Sequence, residues 1–181
     1  MELILGIAFF ALIIYYFFIQ KKAKKVGKIQ GGHNHYFDKL QFSSDEFYSL
    51  VEKIVAERQM PDTKIMRTNY HEASILSPKR EYLRVERKDD IFDICAAPFG
   101  TGFFVSYWMG KAKHTLRDFF LKIIYGGTSS EEILGTTYYK EDTASMFRAS
   151  VVDSIMEAIG QITTTKGIRG FSEAERIAFG K

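Results

Sequence analysis

The chain has 181 residues, with 25 Lys or Arg and 22 Asp or Glu, so its formal net charge is +3 at pH 7. Five of the basic residues lie between positions 21 and 28, and residues 29–181 carry 20 basic and 21 acidic side chains, a net charge of −1. A near-neutral domain lacks the basic patch expected of a nucleic-acid-binding protein, so no nucleic-acid partner is predicted. The single cysteine excludes an internal disulfide, and the length suits one domain with its own core.

The chain begins with an uncharged apolar run from Leu3 to Ile19. At about 1.5 Å per residue, a helix over this run would approach the ~30 Å thickness of a bilayer core. A signal peptide has a shorter apolar core and a small-residue cleavage site, and a buried core helix keeps a polar stripe. We therefore expect residues 1–20 to form a transmembrane anchor.

A cluster of lysines follows the apolar run directly. Because basic residues beside a span stay on the cytoplasmic side, the pattern predicts a single-pass protein of the plasma (inner) membrane. Its N-terminus would face outside and residues 21–181 would be cytoplasmic. The predicted partners at this point are the lipid bilayer and anionic lipid headgroups, although a topology signal alone also explains the cluster. The candidate membrane-surface residues are Lys21, Lys22, Lys24, Lys25 and Lys28.

The predicted domain organisation has three parts: the anchor 1–20, a basic collar and tether 21–40, and one domain 41–181. The tether is polar and contains two adjacent glycines. His33 and His35 lie within it, and imidazole is a common metal ligand. No carboxylate or cysteine cluster completes a metal site, so the sequence predicts no metal and no cofactor.

Two helices are predicted from their N-terminal signals. Ser43 and Glu46 have the spacing of a capping box and predict a helix that continues to about Gln59. Ser172 and Glu175 repeat this spacing and predict a short helix that ends near Phe179. Both helices are expected to pack against the rest of the domain.

Helical periodicity predicts two further helices. The segment Glu141–Thr164 has apolar residues along one side, namely Met146, Phe147, Val151, Ile155, Ile159 and Ile162. The segment Lys111–Tyr125 has large apolar residues on one side and basic residues around the other. Such an amphipathic helix would pack on the domain or lie in a membrane surface.

The region between the first and the long helix is rich in β-branched and aromatic residues and is divided by turn signals. It predicts strands over Thr63–Tyr70, Tyr82–Arg87, Ile91–Ala96 and Phe103–Met109. Consecutive hairpins of this kind form an antiparallel meander. The predicted fold class is therefore α+β: about four antiparallel strands packed against the long C-terminal helix and shorter helices.

Catalytic patterns are weak throughout the sequence. Cys95 lies in an apolar strand, where a thiol is usually buried and inert. The sequence Gly100-Thr101-Gly102 lacks the flanking residues of a phosphate-binding loop. We therefore expect a non-enzymatic binding or assembly module whose partner is a protein or a second copy of itself. A membrane-perturbing effector acting through helix 111–125, or an enzyme with an unrecognised site, is the alternative. The candidate contact residues are Tyr107, Trp108, Phe119 and Phe120.

Overall fold

The computed structural model describes residues 26–71, 79–113 and 137–180. These residues form one five-stranded antiparallel sheet, in the order β1-β5-β4-β3-β2, and three helices. The elements are, in chain order, β1 (Val26–Phe37), α1 (Ser44–Glu57), β2 (Thr63–His71), β3 (Lys79–Arg87), β4 (Asp90–Phe99), β5 (Gly102–Ala112), α2 (Tyr138–Thr165) and α3 (Glu173–Phe179). The architecture is consistent with the predicted α+β class, but the sheet has five strands rather than about four.

The predicted transmembrane anchor is not part of this architecture. Residues 1–20, on which that prediction rested, lie outside the described residues, and no helix that the structure describes is both long and apolar enough to cross a membrane. α2 has the length, but it carries Lys140, Glu141, Asp142, Arg148, Asp153 and Glu157. The fold prediction is therefore corrected to a five-stranded α+β domain. The single-pass topology, the outward N-terminus and the inner-membrane localisation depended on the anchor and are corrected with it.

The four predicted strands correspond to β2, β3, β4 and β5, which follow one another as a meander. Tight turns with positive φ at Lys88 and Gly100 join β3 to β4 and β4 to β5. β5 continues to Ala112, so the first residues of the predicted helix Lys111–Tyr125 belong to a strand. The rest of that predicted helix, from residue 114, lies outside the described residues.

The fifth strand, β1, occupies the segment that was predicted to be a tether. It pairs with β5 over nearly its whole length and forms one edge of the sheet. Its glycines allow a close approach to β5, since a Cβ atom on Gly32 would lie 2.6 Å from the ring of Trp108. The tether prediction was wrong because β1 lacks the alternating aliphatic residues by which strands are recognised.

The two faces of the sheet differ in what covers them. The inner face packs against the three helices and forms one core with them, with strand residues Phe37, Leu83, Val85, Phe92, Ile94, Ala96, Phe103, Val105, Tyr107 and Met109. Because strand residues alternate between faces, the intervening side chains form the outer face. These residues include Met66, Tyr70, Tyr82, Arg84, Glu86, Ile91, Asp93, Cys95, Phe104 and Trp108. None of the three described helices lies on the outer face.

α1 and α2 pack against each other and against the inner face. α1 begins after Ser43, close to the predicted start, but the Ser43 side chain forms no capping hydrogen bond. α2 begins earlier than predicted, at Tyr138, because the side chain of Thr137 accepts a hydrogen bond from the backbone of the first turn. Its predicted apolar side is buried from Phe147 onward, whereas Met146 is 70 % exposed.

α3 lies on the inner face next to β1. Its predicted capping box is confirmed: the hydroxyl of Ser172 accepts a bond from the backbone N–H of Glu175, and the Glu175 carboxylate accepts one from the backbone N–H of Ser172. These bonds lower the pKa of Glu175 to about 2. At the other end of α3, the hydroxyl of Tyr107 donates to the carbonyl of Phe179 at 2.5 Å, which fixes the helix on the sheet.

Two glycines at the end of α2 should respond to alanine in opposite directions. Gly160 lies within the helix, and a Cβ atom there would meet nothing within 4 Å. Gly160→Ala should therefore raise the free energy of unfolding by about 1 kcal/mol through helix propensity. Gly167 has φ +64°, a conformation that strains a residue with a Cβ atom, so Gly167→Ala should lower the free energy of unfolding by about 1 kcal/mol. Denaturant unfolding of both variants measures the difference, and equal signs would contradict the helix boundary.

His35 links β1 to the segment that precedes α3. Its ring lies 4.5 Å from the ring of Phe37 and 4.8 Å from that of Phe171, centroid to centroid. Burial lowers the pKa of His35 below its ordinary value of 6.5. The charged groups that face it are Glu175, which acts in the opposite direction, and His33 and Arg169, which add to the lowering.

The lowered pKa of His35 predicts a loss of stability in mild acid. Below pH 6.5 the unfolded chain binds a proton at this site before the folded chain does, so acidification favours unfolding. The loss should begin as the pH falls through 6.5 and be complete below the pKa of the folded state. Unfolding free energies measured between about pH 7.5 and pH 5 should fall less steeply for His35→Gln, which does not titrate. Identical slopes for the two proteins would rule out this role of His35.

Candidate functional site

A buried ion pair lies at the centre of the outer face. Arg84 on β3 and Asp93 on β4 are direct cross-strand partners. Nε of Arg84 donates to Oδ1 of Asp93 at 2.6 Å, and Nη2 donates to Oδ2 at 2.7 Å. Arg84 is 1 % exposed and Asp93 is 6 % exposed. Burial raises the pKa of the Asp93 carboxyl, and the two bonds from Arg84 act against this rise.

Aromatic side chains surround the ion pair. The hydroxyl of Tyr70 donates to Oδ2 of Asp93 at 2.8 Å, and Nη2 of Arg84 also contacts this hydroxyl. The ring of Tyr70 lies 5.6 Å from the guanidinium carbon of Arg84 and meets the ring of Tyr82 edge-on at 5.3 Å. Trp108, the cross-strand partner of Asp93 on β5, stands on the opposite side of the pair. A charged centre is thus enclosed by rings from three strands.

A cavity of about 270 Å³, the outer-face cavity, opens between these rings. Its lining consists of Val26, Ile29, Tyr70, Tyr82, Ile91, Asp93, Trp108, Met109 and Gly110. Of the described residues, Asp93 is the charged one in this lining, whereas Arg84 lies behind it. The volume is several times the ~30 Å³ that a water molecule occupies in the liquid, so the cavity has room for a small organic group.

Tyr48 on α1 shapes the sheet next to the cavity. Its hydroxyl donates to the carbonyl of Glu81 on β3 at 2.9 Å and accepts from the N–H of Ala96 on β4 at 2.9 Å. Leu83 and Ile94 are the last pair in the ladder between β3 and β4, and the backbone groups of Glu81 and Ala96 lie two residues beyond this pair. The hydroxyl therefore replaces a direct strand-to-strand bond, and β3 and β4 diverge towards the end where Tyr82 and Tyr70 stand. Burial raises the pKa of Tyr48 well above its ordinary value, so the hydroxyl stays protonated.

Cys95 lies beside this opening, but its environment is not that of a catalytic nucleophile. It is buried, and burial raises the pKa of its thiol. A catalytic thiol needs a lowered pKa, because the thiolate is the reactive form. In the described part of the chain, no three His, Cys, Asp or Glu side chains are grouped as metal ligands would be. His33 instead meets the ring of Phe179 edge-on at 5.2 Å.

The structure separates the predicted contact residues. Tyr107 and Trp108 are neighbours in a strand and point to opposite faces, so Tyr107 is buried in the core while Trp108 is 45 % exposed on the outer face. Only Trp108 of this pair is available to a partner. Among the collar lysines, Lys28 is an exposed residue of β1. The other candidates lie outside the described residues: Lys21, Lys22, Lys24, Lys25, Phe119 and Phe120.

Sequence reasoning missed most of the residues that form the cavity. Arg84 occurs in an alternating segment and Asp93 in an apolar one, and a charged residue inside a buried strand is a signal for a paired site. That signal was available, but the identity of the partner was not, because cross-strand pairing depends on register. Tyr70 and Tyr82 gave no signal beyond their β-propensity.

Removing one partner of the ion pair should lower the free energy of unfolding more than removing both partners. Arg84→Leu leaves the Asp93 carboxylate without its two strongest hydrogen bonds, so the free energy of unfolding should fall by about 3–5 kcal/mol. The double variant Arg84→Leu/Asp93→Leu should recover part of this loss, because the Asp93 charge is removed as well, whereas the buried Glu86 still loses its 3.4 Å contact with Nη1 of Arg84. A double-mutant cycle in urea measures the coupling between the two residues. Additive losses would mean that the two residues do not interact.

Comparison of the chain with protein-family models, with curated proteins and with solved structures gives no match in any of the three. The outer face, with its ion pair, aromatic side chains and cavity, is the surface of the described residues with the most specific chemistry.

Proposed function

We propose that the protein is a non-enzymatic assembly module that binds a second copy of itself through the outer face of its sheet. The observation that supports this proposal is the number of large apolar side chains that are exposed on that face. They are Ile29, Tyr36, Tyr70, Phe99 and Trp108. Exposed apolar side chains that share one face are typical of a contact site between proteins.

The charge distribution favours a second copy as the partner. On β1, β5 and the end of β4, the exposed side chains of the outer face are uncharged, with Asn34, Tyr36, Phe99 and Trp108 as examples. The charge of Asp93 is buried and paired with Arg84. An uncharged patch does not repel its own copy, and flat aromatic groups pack against like groups in a two-fold contact.

The geometry of β1 favours contact between faces rather than between edges. β1 is an edge strand, and an edge can extend a sheet into a second molecule. The pairing of β1 with β5 is interrupted twice, between Val26 and Lys28 and between Ile29 and Gly31. Such irregularities twist an edge strand and oppose regular pairing with another strand. The proposed contact is therefore made by the aromatic side chains.

Two substitutions with matched exposure test the proposal. Phe99 on the outer face is 74 % exposed, and Met146 on α2 is 70 % exposed on the other side of the molecule. In sedimentation velocity of the full chain, the mass of the wild type should rise with concentration. Phe99→Asp should weaken association at least about tenfold, a cost of about 1.4 kcal/mol. A buried like-charge pair across the two-fold contact is the physical reason.

Met146→Asp is the control, and it should associate as the wild type does. Circular dichroism and unfolding curves should confirm that both variants keep the fold, since both side chains are exposed. A wild type that sediments as a monomer at every concentration would contradict self-association. Association that is weakened equally by both variants, or by neither, would show that it does not use the outer face.

A further inference from the structure

The outer-face cavity has a lining that goes beyond what a self-association surface needs. Three aromatic residues from three different strands surround it: Tyr70 on β2, Tyr82 on β3 and Trp108 on β5. The side chains of Ile29 and Ile91 add apolar walls. Rings that converge from separate strands form a preorganised cage, because the backbone pairing of the sheet holds them in place.

The lining of the cavity also contains a carboxylate, which is paired with a guanidinium. Among the described residues of the lining, the charged group is the Asp93 carboxylate, and the guanidinium of Arg84 approaches this carboxylate from behind the cavity. Oδ2 of Asp93 accepts from both Arg84 and Tyr70, whereas Oδ1 accepts from Nε of Arg84. The faces of the surrounding rings carry negative electrostatic potential as well.

We propose that the outer-face cavity binds a quaternary or methylated ammonium group. A cation of this type is attracted by ring faces and by a carboxylate, and its methyl groups bury favourably against apolar walls. An unmethylated ammonium is more strongly hydrated and loses more on entering such a cavity. An anion would be repelled by both the carboxylate and the rings. A neutral ligand would gain from the apolar walls alone.

This proposal does not depend on self-association, because it concerns the cavity of a single molecule. The chemistry is shared by two sources, a free quaternary amine and a methylated lysine side chain. Free choline and trimethyl-lysine within a short peptide serve as the two probes. Tighter binding of choline would identify a small-molecule site, and tighter binding of the peptide would identify a modified protein segment as the source.

Trp108 makes the test direct, since it is the only tryptophan of the chain and lines the cavity. Choline chloride should change the fluorescence of the full chain in a saturable way, with sodium chloride as the control for ionic strength. The neutral isostere of choline, in which a tert-butyl group replaces the trimethylammonium group, should bind at least about tenfold more weakly. No saturable change with choline, or equal binding of the two compounds, would overturn the proposal.

Substitutions then locate the site. Tyr82→Leu removes a ring from the cage and should weaken choline binding at least about tenfold, measured by Trp108 fluorescence. Tyr139→Leu, a change at an exposed tyrosine of α2, should leave the affinity unchanged. If Tyr82→Leu keeps its fold by circular dichroism and binds choline like the wild type, the assignment to this cavity is wrong. If it unfolds, the comparison of choline with its neutral isostere on the wild type decides alone.

The outcome is separable from that of the self-association test. Phe99 does not line the cavity, so Phe99→Asp should weaken association but bind choline as the wild type does when both are measured at concentrations at which the wild type is a monomer. A chain that associates through the outer face but ignores choline would overturn the ammonium site alone. A monomeric chain that binds choline would overturn self-association alone.

Discussion

Arg84 and Asp93 stand opposite each other on β3 and β4, and the geometry of the outer face depends on that pairing. A shift of one residue in either strand would turn its charged side chain to the inner face, among Leu83, Val85 and Ile94. An unpaired charge in that core would cost several kcal/mol, so the ion pair selects one register from the possible ones. Its net contribution to stability is small by comparison, because both groups lose their hydration. The positions of Tyr70, Tyr82 and Trp108 follow from this register.

The predictable part of the fold is the part with local signals. The helical spacing of apolar residues located α2, the capping pattern of Ser172 and Glu175 located α3, and turn residues divided the meander. β1 escaped prediction because its inward positions are Gly31, His33, His35 and Phe37. Histidine and glycine give no apolar alternation, although the two histidines pack against aromatic rings once α3 is in place. A strand whose pattern has meaning only beside its tertiary partners cannot be recognised from its own residues.

The candidate site was predictable at one residue only, and the reason is again non-local. Trp108 was singled out as a contact residue, and it does lie on the exposed side of β5. Tyr107 was grouped with it because the two are adjacent, yet adjacent strand residues point to opposite faces of the sheet. The hydroxyl of Tyr107 donates a hydrogen bond to the Phe179 carbonyl in the core. The cavity needs residues from all five strands together, and the order of the strands in the sheet cannot be read from any single segment.

The two proposals for the outer face meet at Trp108, which belongs both to the exposed apolar patch and to the cavity lining. Trp108 is 45 % exposed, so a second copy that packs on it and a cation that enters the cavity compete for the same contact area. By linkage, whatever factor the cation imposes on the association constant, association imposes on the affinity for the cation. A cation that binds only the separate molecules would therefore draw the equilibrium towards them as its concentration rises above its Kd. The rigid sheet, whose register is set by the buried ion pair, would then connect a small ligand to the assembly state without any change of fold.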